Sequence, residues 1–499
     1  MRVLRSLASR PRLALQPLEG RIVPNGTIVA VLSPAGVLSL TGDDDANGLT
    51  VKVTAGVVTL TPDGSTTIDK TGVPAGGIVK SIKADLKGGA DSLAINAAAD
   101  FILTGPVAIA LGDGNNKLAL DTTGKLNLGG LTVTGGDGAD TVVVRGAAGS
   151  TVGGTAKFTY KNGGSSTSLE GVGFSAVTVS AGDAVTTPNE VSATNVTVAK
   201  AFKADLGNSN PALVGFDTCK IDGGIKVGGY TVTTLLTATT VTKGITVKAG
   251  FQADLQLDGA TINGNVALTA PNPTLEATGA ATKITGNLGL TGTAWTSTTF
   301  TTTTPSEVTG NVTIKGGWFS DSFTADANFK VDKNVSLKLG DGDNVVALGD
   351  GTAAVPILGN LQIQTGAGND RINLSHLTLS GTADLKTGGG ADLLSIEDGS
   401  SFAKTFKADL GTGDDTISIA QNTGAAGPIP GPVQFTGKAK ILAGIGNDTL
   451  LLGLAVGSGG DGTSKAVFTD TTSVLDGGLG LNDFDAASGQ FMGVTPIHW

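Results

Sequence analysis

Short stretches in which apolar and polar residues alternate recur along most of the chain. Residues 359–374, GNLQIQTGAGNDRINL, place Leu361 and Ile363 before a Gly-rich turn and Ile372 and Leu374 after it. Alternation with a period of two predicts β-strands that bury one face. The Gly and Asp residues between the two stretches predict a turn. Each repeat is therefore expected to contain at least two short strands.

The Gly-rich turn recurs at a nearly constant interval of about 24 residues. It reads Gly-x-Gly-x-Asp or Asn, and in most copies another Gly lies eleven residues before the acidic or amide residue. Two markers at one fixed offset are typical of a repeat protein. The last residues of the clearest turns are Asn47, Asp91, Asn116, Asp140, Asp321, Asn344, Asp370, Asp392, Asp415 and Asp448.

This repeat predicts the fold class. A unit of about 24 residues that buries one alternating face and stacks on its copies is the coil of a parallel β-helix. We therefore predict an all-β chain that forms a parallel β-helical solenoid. Aromatic residues make up only 4% of the chain, which suits a narrow core of Val, Ile, Leu and Ala.

The repeat pattern also divides the chain into segments. Within the array the pattern weakens near residues 145–200 and 230–305, where either degenerate coils or protruding loops are expected. Residues 422–432 predict an inserted loop because they lengthen one interval and contain the run GPIPGP. The predicted segments are a leader (1–26), an N-terminal cap with the first coils (27–77), the repeat array (78–469) and a C-terminal cap or tail (470–499).

Composition and charge exclude several classes of protein and site. The hydrophobic fraction of 39% supplies a core that a disordered chain would lack. The net charge of −10 opposes binding to nucleic acid. Cys219 is the single cysteine, and His376 and His498 are the two histidines, so a disulfide or a Cys- or His-based zinc site is not expected. No apolar run is long enough to cross a membrane.

The first residues are rich in arginine and lack the continuous apolar stretch of a secretory signal. They contain RPRL at 10–13 and LEGRIVP at 18–24. This arrangement resembles the N-terminal signature of planctomycete surface proteins. The resemblance implies export or surface attachment, and hence an extracellular or cell-surface location. A disordered tail is the alternative.

The turns resemble the calcium-binding nonapeptide of RTX proteins, Gly-Gly-x-Gly-x-Asp-x-apolar-x. The best matches are residues 135–142, 365–372, 411–417 and 444–450. The resemblance implies that turn carboxylates and Gly carbonyls bind calcium, which prefers six to eight oxygen ligands. RTX repeats run two to a coil, whereas this chain has one per coil. The candidate ligands are Asp91, Asp137, Asp140, Asp341, Asp343, Asp370, Asp392, Asp414, Asp415 and Asp448.

A second interpretation of these turns needs no metal. Gly and Asp are good turn formers, and their carboxylates can be hydrated. A ladder such as Asp370, Asp392 and Asp415 would place like charges about 5 Å apart, which destabilises the coil unless a cation or water screens them. Both interpretations stay open at this point.

An earlier stretch, DDDANG at 43–48, begins like the calcium loop of an EF-hand. Thr54 stands where that loop needs Glu, and the flanking residues alternate as strands. We interpret the stretch as the first Gly/Asp turn of the repeat. Asp43 and Asp45 are further candidate calcium ligands.

No phosphate-binding loop, Gly-x-Ser-x-Gly motif or His-Glu-x-x-His motif is present in the sequence. The three tryptophans, Trp295, Trp318 and Trp499, do not cluster with the acidic turns. We therefore predict a non-enzymatic structural or adhesin-like surface protein, with calcium stabilisation of the stacked turns as one of the two interpretations left open above. Its expected partners are calcium, cell-surface polymers and other surface proteins. The alternatives are an RTX-like calcium-binding module and a polysaccharide-active β-helix enzyme.

Overall fold

The computed structural model describes residues 26–54, 56–97, 99–184, 186–208, 211–350, 352–421, 431–453, 465–486 and 491–499. Their regular structure is entirely β-strand, and strands of successive coils pair in parallel. The predicted parallel β-helix with coils of about 24 residues is therefore confirmed. The predicted leader lies outside the described residues apart from Gly26, and so does most of the predicted inserted loop.

Each coil contributes to three sheets, which we call faces 1, 2 and 3 in the order in which the chain crosses them. Strands confined to face 1 are Val37–Thr41, Ser81–Asp85, Phe202–Asp205, Asn265–Thr269, Leu288–Thr291, Val312–Lys315, Val335–Lys338, Leu361–Gln364, Ala383–Gly389, Phe406–Thr412, Ala439–Ile445 and Val474–Asp476. Strands confined to face 2 are Gly48–Thr54, Ser92–Ala97, Lys117–Thr122, Glu190–Thr194, Ala212–Asp217, Asn272–Gly279, Ser297–Thr302, Ser322–Ala325, Val345–Leu348, Arg371–Ser375, Leu393–Glu397, Thr416–Ile419, Thr449–Leu452 and Asp483–Ala486.

Face 3 is built from the shortest strands. They are Thr197–Val198, Lys220–Ile221, Thr240–Val241, Thr261–Ile262, Lys283–Ile284, Ser306–Val308, Phe329–Val331, Val355–Ile357, Leu377–Leu379, Ser401–Phe402, Val433–Phe435, Ala466–Phe468 and Phe491–Met492. Some longer strands bend round a corner and serve more than one face. They are Phe101–Gly112, Leu126–Gly135, Thr141–Thr159, Ser166–Ser180, Ile225–Thr237 and Gly244–Asp258.

The interior is one apolar core that runs along the stack of coils. In the coil that starts at Leu361, the side chains of Leu361, Ile363, Ile372, Leu374 and Leu379 point inward, and each is at most 1% exposed. Full burial of such a side chain contributes about 1.5–3 kcal/mol. The alternation seen in the sequence therefore sets which side of each strand faces the core.

The N-terminal segment adds strands that run against the direction of the coils. Thr27–Leu32 pairs antiparallel with Val37–Thr41, the first strand of face 1. Val57–Pro62 pairs antiparallel with Gly48–Thr54, the first strand of face 2. These pairings cover backbone edges that would otherwise be open to another chain. Thr67–Gly72 completes the segment by pairing in parallel with Thr27–Leu32.

The last described residues lie across the other end of the solenoid. Ile497 forms a bridge to Asp476 at the end of face 1. The indole of Trp499 packs against the core and donates a hydrogen bond from Nε1 to the Leu475 carbonyl at 3.4 Å. Within the described residues, no helix combines the length and apolar character needed to cross a bilayer.

The stretches with a weak sequence pattern, 145–200 and 230–305, are stacked coils in the structure. The coils differ at the connection between faces 1 and 2, which we call the first corner. Through part of the second stretch, Ile225–Thr237 and Gly244–Asp258 pass this corner as unbroken strands. The coils there are short, and Cys219 and Thr239, which are hydrogen-bonded neighbours, are only 20 residues apart. The acidic turn is missing because this corner is too short to hold it.

Candidate functional site

The predicted calcium ligands lie along the first corner, where the structure separates most of them into two rows. The side chains of the inner row are at most 2% exposed, whereas those of the outer row are exposed to solvent. The inner row consists of Asp91, Asp140, Asp370, Asp392, Asp415 and Asp448, and the outer row of Asp137, Asp341, Asp343 and Asp414.

Inner-row carboxylates hold neighbouring coils together. Oδ1 of Asp392 accepts the backbone amide of Asp370 at 2.8 Å, and Oδ1 of Asp415 accepts that of Asp392 at 2.8 Å. Asp448 accepts the amide of Asp415 in the same way at 2.9 Å. Near the N-terminus, Asp91 accepts the amide of Asn47 at 2.7 Å. Each carboxylate thus satisfies a buried amide of the coil before it, which would otherwise lack a partner.

The second oxygen, Oδ2, of several of these buried carboxylates lacks a hydrogen bond to any described residue. Among the described residues, Oδ2 of Asp91, Asp140, Asp415 and Asp448 has no hydrogen-bond partner. Burial raises the pKa of Asp415 to about 7, because the amide bond only partly offsets desolvation. The same cause raises the pKa of Asp91 and of Asp140 to about 6. These carboxyl groups therefore favour a proton or a cation near neutral pH.

Asparagine occupies the same position in several coils, where both its Oδ1 and its Nδ2 form hydrogen bonds. Asn344 accepts the amide of Asp321 through Oδ1 at 2.9 Å. Its Nδ2 donates to the carbonyls of Gly340 at 3.0 Å and Gly342 at 2.8 Å. A protonated aspartate could donate a similar bond, whereas an ionised one could not. The alternation of Asp and Asn at this position follows from that shared geometry.

Outer-row carboxylates accept backbone amides of the following coil, whereas inner-row carboxylates accept those of the preceding coil. Asp341 accepts the amide of Ala367 at 3.0 Å, and Asp414 accepts the amide of Asn447 at 2.8 Å. Asp343 and Asp137 make equivalent bonds to the amides of Asn369 at 2.7 Å and Asn162 at 3.2 Å. The two rows therefore link each coil to both of its neighbours.

Stacking also explains the glycines of the turn. Gly390, Gly413 and Gly446 lie one above another with φ of 137°, 131° and 159°. A Cβ atom on Gly413 would lie 1.9 Å from the carbonyl oxygen of Gly390, and one on Gly446 would lie 1.8 Å from that of Gly413. A side chain cannot fit at that distance. The Gly-x-Gly-x-Asp pattern is thus required by coil-to-coil contact at this corner.

The turn at residues 43–48 adds the contacts of Asp43 to the arrangement seen at Asn344. Oδ2 of Asp43 accepts the amide of Thr27 at 2.8 Å, and its Oδ1 accepts the amide of Asp45 at 3.2 Å. Nδ2 of Asn47 donates to the carbonyl of Asp45 at 2.8 Å. The Asp45 side chain is exposed to solvent. Strands flank this turn on both sides, so it is the first Gly/Asp turn of the solenoid.

Calcium would find only part of its preferred ligand set at the first corner. In the described part of the chain, no three His, Cys, Asp or Glu side chains converge closely enough to hold a metal ion. The turn carbonyls already accept amide protons, as the carbonyl of Gly366 does from Gly389 at 3.2 Å. An ion would therefore depend on the Oδ2 atoms of neighbouring coils and on water for its six to eight oxygens.

Two other residues considered from the sequence are structural in character. Cys219 is 3% exposed, and its Sγ donates to the carbonyl of Ala193 at 3.2 Å. Burial raises the pKa of this thiol, which lowers its reactivity. Nδ1 of His498 lies 2.7 Å from Oδ1 of Asp476 at the C-terminal end.

A buried acidic group on face 2 was not anticipated from the sequence. Glu397 is 9% exposed and accepts hydrogen bonds from Ser418 at 3.0 Å and Ser395 at 3.1 Å. Burial raises its pKa to about 7. Its position directly after the buried Ile396 breaks the strand alternation, which is the one sequence signal that could have indicated it.

No protein-family model, curated protein or solved structure matches the chain at a significant level. The first corner is therefore interpreted from its own geometry.

Proposed function

We propose that the protein is a non-enzymatic structural rod of the cell surface or extracellular space. The observation that carries the proposal is the use of the turn carboxylates. Oδ1 of Asp392, Asp415 and Asp448 each accepts a backbone amide of the preceding coil, and outer-row carboxylates such as Asp414 accept an amide of the following coil. Residues that an enzyme would aim at a substrate here join one coil to the next.

Charged side chains on the outer surface support the same interpretation. Arg145 lies between Asp121 and Glu170 on adjacent strands of face 2, at 3.4 and 2.6 Å. Lys330 contacts Glu307 at 2.8 Å, and Glu307 also contacts Lys283 at 2.9 Å. These pairs join three successive coils in each case. Such ladders suit a protein whose role is to keep an extended shape.

Shape and location together test this proposal. Small-angle X-ray scattering of the full chain should give an elongated particle, since stacked coils add about 4.8 Å each. Antibodies against the solenoid should label intact cells of the source organism without permeabilisation. Labelling only after permeabilisation would overturn the surface location. Turnover of any polysaccharide in a panel of neutral and acidic polymers would overturn the non-enzymatic role.

Calcium-dependent stabilisation is a second candidate function. It is favoured by the buried Oδ2 atoms of Asp415 and Asp448, which find no hydrogen-bond partner in the described part of the chain, and by the raised pKa of both groups. Thermal unfolding of the full chain in about 5 mM calcium should then shift upward relative to chelator, by about 2.7 kcal/mol per independent site at 100 times Kd. Magnesium should not reproduce the shift. Identical transitions in calcium and chelator would contradict this candidate.

A further inference from the structure

The outer surface of face 1 carries a basic groove of about 680 Å³ in the middle of the solenoid. Lys203, Lys226 and Lys248 line it, and all three are exposed. Its floor includes Gly228 and Gly250, which lack side chains to fill it. We call this feature the lysine groove.

Three lysines and one acidic residue line the groove, so positive charge predominates there. Lys203 pairs directly with Lys226 on the next strand, where like charges destabilise a sheet. Asp205 is the acidic residue that lines the groove. The ion pairs formed by the described residues do not include Lys203, Lys226 or Lys248. The charged ladders described above lie on faces 2 and 3, whereas Lys407 and Lys440 pair on face 1 in the same way as Lys203 and Lys226. A lysine pair therefore does not by itself distinguish the groove from the rest of face 1.

An aromatic pair borders the groove at the first corner. The rings of Tyr230 and Phe251 stack with centroids 5.8 Å apart and an interplanar angle of 19°. Tyr230 is 43% exposed and Phe251 is 45% exposed. A Cβ atom on Gly250 would lie 3.0 Å from the Tyr230 ring, so the glycine allows the ring to lie against the groove. The two rings occupy the corner that in other coils carries the acidic turn.

We propose that the lysine groove and the Tyr230–Phe251 pair bind an acidic polysaccharide. The lysines would pair with the carboxylates of the polymer, and the exposed ring faces would contact the apolar faces of its sugars. Lys203 and Lys226 lie on neighbouring strands about 4.8 Å apart, and Lys248 pairs with Gly228, diagonally across from Lys226. The three lysines thus form a slanted line of charge that a linear polymer can follow. This inference deepens the proposed function, since a surface rod meets such polymers.

A polysaccharide fits better than a nucleic acid. The chain has a net charge of −10, which repels the dense phosphates of nucleic acid beyond the groove. An acidic polysaccharide carries fewer charges per unit length than duplex DNA and offers sugar faces to the aromatic pair. A small anion would need one charge cluster and would leave the Tyr230–Phe251 pair without a role.

Binding of polygalacturonate to the full chain tests the proposal. We expect the double variant Lys203→Glu and Lys226→Glu to lose at least about tenfold in affinity, as expected for charge reversal at close pairs. The variant Tyr230→Ala and Phe251→Ala should lose about fivefold or more. The matched control is Lys407→Glu and Lys440→Glu, which reverses another directly paired lysine couple on face 1 away from the aromatic pair. This control should bind like the unmodified chain.

Three comparison polymers separate the alternatives. Dextran lacks charge and polyglutamate lacks sugar rings, so both should bind at least about tenfold more weakly than polygalacturonate. Tighter binding of poly(dT) would overturn the proposal in favour of nucleic acid. If the Lys407 and Lys440 control loses as much affinity for polygalacturonate as the Lys203 and Lys226 variant, the lysine groove is not the binding site. Absence of polygalacturonate binding by a chain that scatters as a rod and labels the cell surface would overturn this inference and leave the proposed function standing.

Discussion

Oδ1 of Asp415 accepts the backbone amide of Asp392 at 2.8 Å, and its Oδ2 has no hydrogen-bond partner among the described residues. One carboxylate thus stabilises the contact between two coils and carries an uncompensated buried oxygen. The negative charges of Asp392, Asp448 and Asp414 also raise the pKa of Asp415. The amide bond favours the folded state and the buried negative charge opposes it, so the stability of the solenoid depends on protons and cations that neutralise this charge.

The first prediction concerns pH. The pKa of Asp415 is raised from 3.8 to about 7, so the folded state binds a proton more tightly than the unfolded state. Protonation of Asp415 therefore stabilises the folded state, and this contribution is complete below about pH 4 and is lost as pH rises through 7. Asp91 and Asp140 act in the same direction up to about pH 6.

Melting temperature in chelator should therefore fall between pH 5 and pH 8. The measurement starts at pH 5 because a second group acts in the opposite direction at lower pH. Lys330 and Lys283 lower the pKa of Glu307, so protonation of Glu307 in acid destabilises the folded state. A melting temperature that stays level or rises over this range would contradict the raised pKa of the inner row.

The second prediction concerns Asp415→Asn. Asparagine keeps an Oδ1 acceptor for the Asp392 amide and adds a donor, which at Asn344 binds two turn carbonyls. At pH 8 in chelator, the substitution should raise the free energy of unfolding by about 1 kcal/mol. It should also flatten the pH dependence described above.

The control for this variant is Asp414→Asn in the exposed outer row, which keeps its Oδ1 acceptor and should change stability by less than about 0.5 kcal/mol. The same pair of variants tests the calcium candidate. If calcium binds the inner row, Asp415→Asn should lose part of the stabilisation that calcium gives. Stabilisation by calcium that is equal in the two chains would exclude Asp415 as a ligand.

The third prediction concerns Gly413→Ala. The new Cβ would lie 1.9 Å from the carbonyl oxygen of Gly390, at a backbone φ of 131° that side chains rarely adopt. The backbone must move, and we expect a loss of about 3 kcal/mol or more in the free energy of unfolding. Gly215→Ala is the matched control, because nothing lies within 4 Å of its Cβ position. Equal effects in chemical denaturation would refute the stacking explanation of the motif.

The fourth prediction concerns the aromatic stack inside face 3. Phe435 is 1% exposed and lies between Phe402 and Phe468, with centroids 5.0 and 4.7 Å away. Phe435→Ala should cost about 3–5 kcal/mol by opening a cavity. Because repeat proteins are stabilised by neighbouring coils, proteolysis should increase first in the C-terminal coils. The exposed Phe251→Ala should leave the protease pattern unchanged.

The interval between Gly/Asp turns and the alternation of apolar residues predicted both the fold and the place of the candidate ligands. Both signals are local, since strand alternation and turn chemistry depend on residues a few positions apart. The same signals could not separate Asp414 from Asp415, which are neighbours in sequence. One is exposed and binds the following coil, whereas the other is buried and binds the preceding coil.

The sequence by itself determined the all-β solenoid, the coil length and the corner at which acidic residues collect, because periodicity of two and glycine turns suffice for those features. Only the tertiary structure decided which carboxylate oxygens bind amides and which have no partner among the residues that the structure describes. It also decided that Lys203 meets Lys226 and that Tyr230 stacks on Phe251. Those partners are separated by a whole coil, so their contact depends on the register between strands, which no local pattern in the sequence specifies.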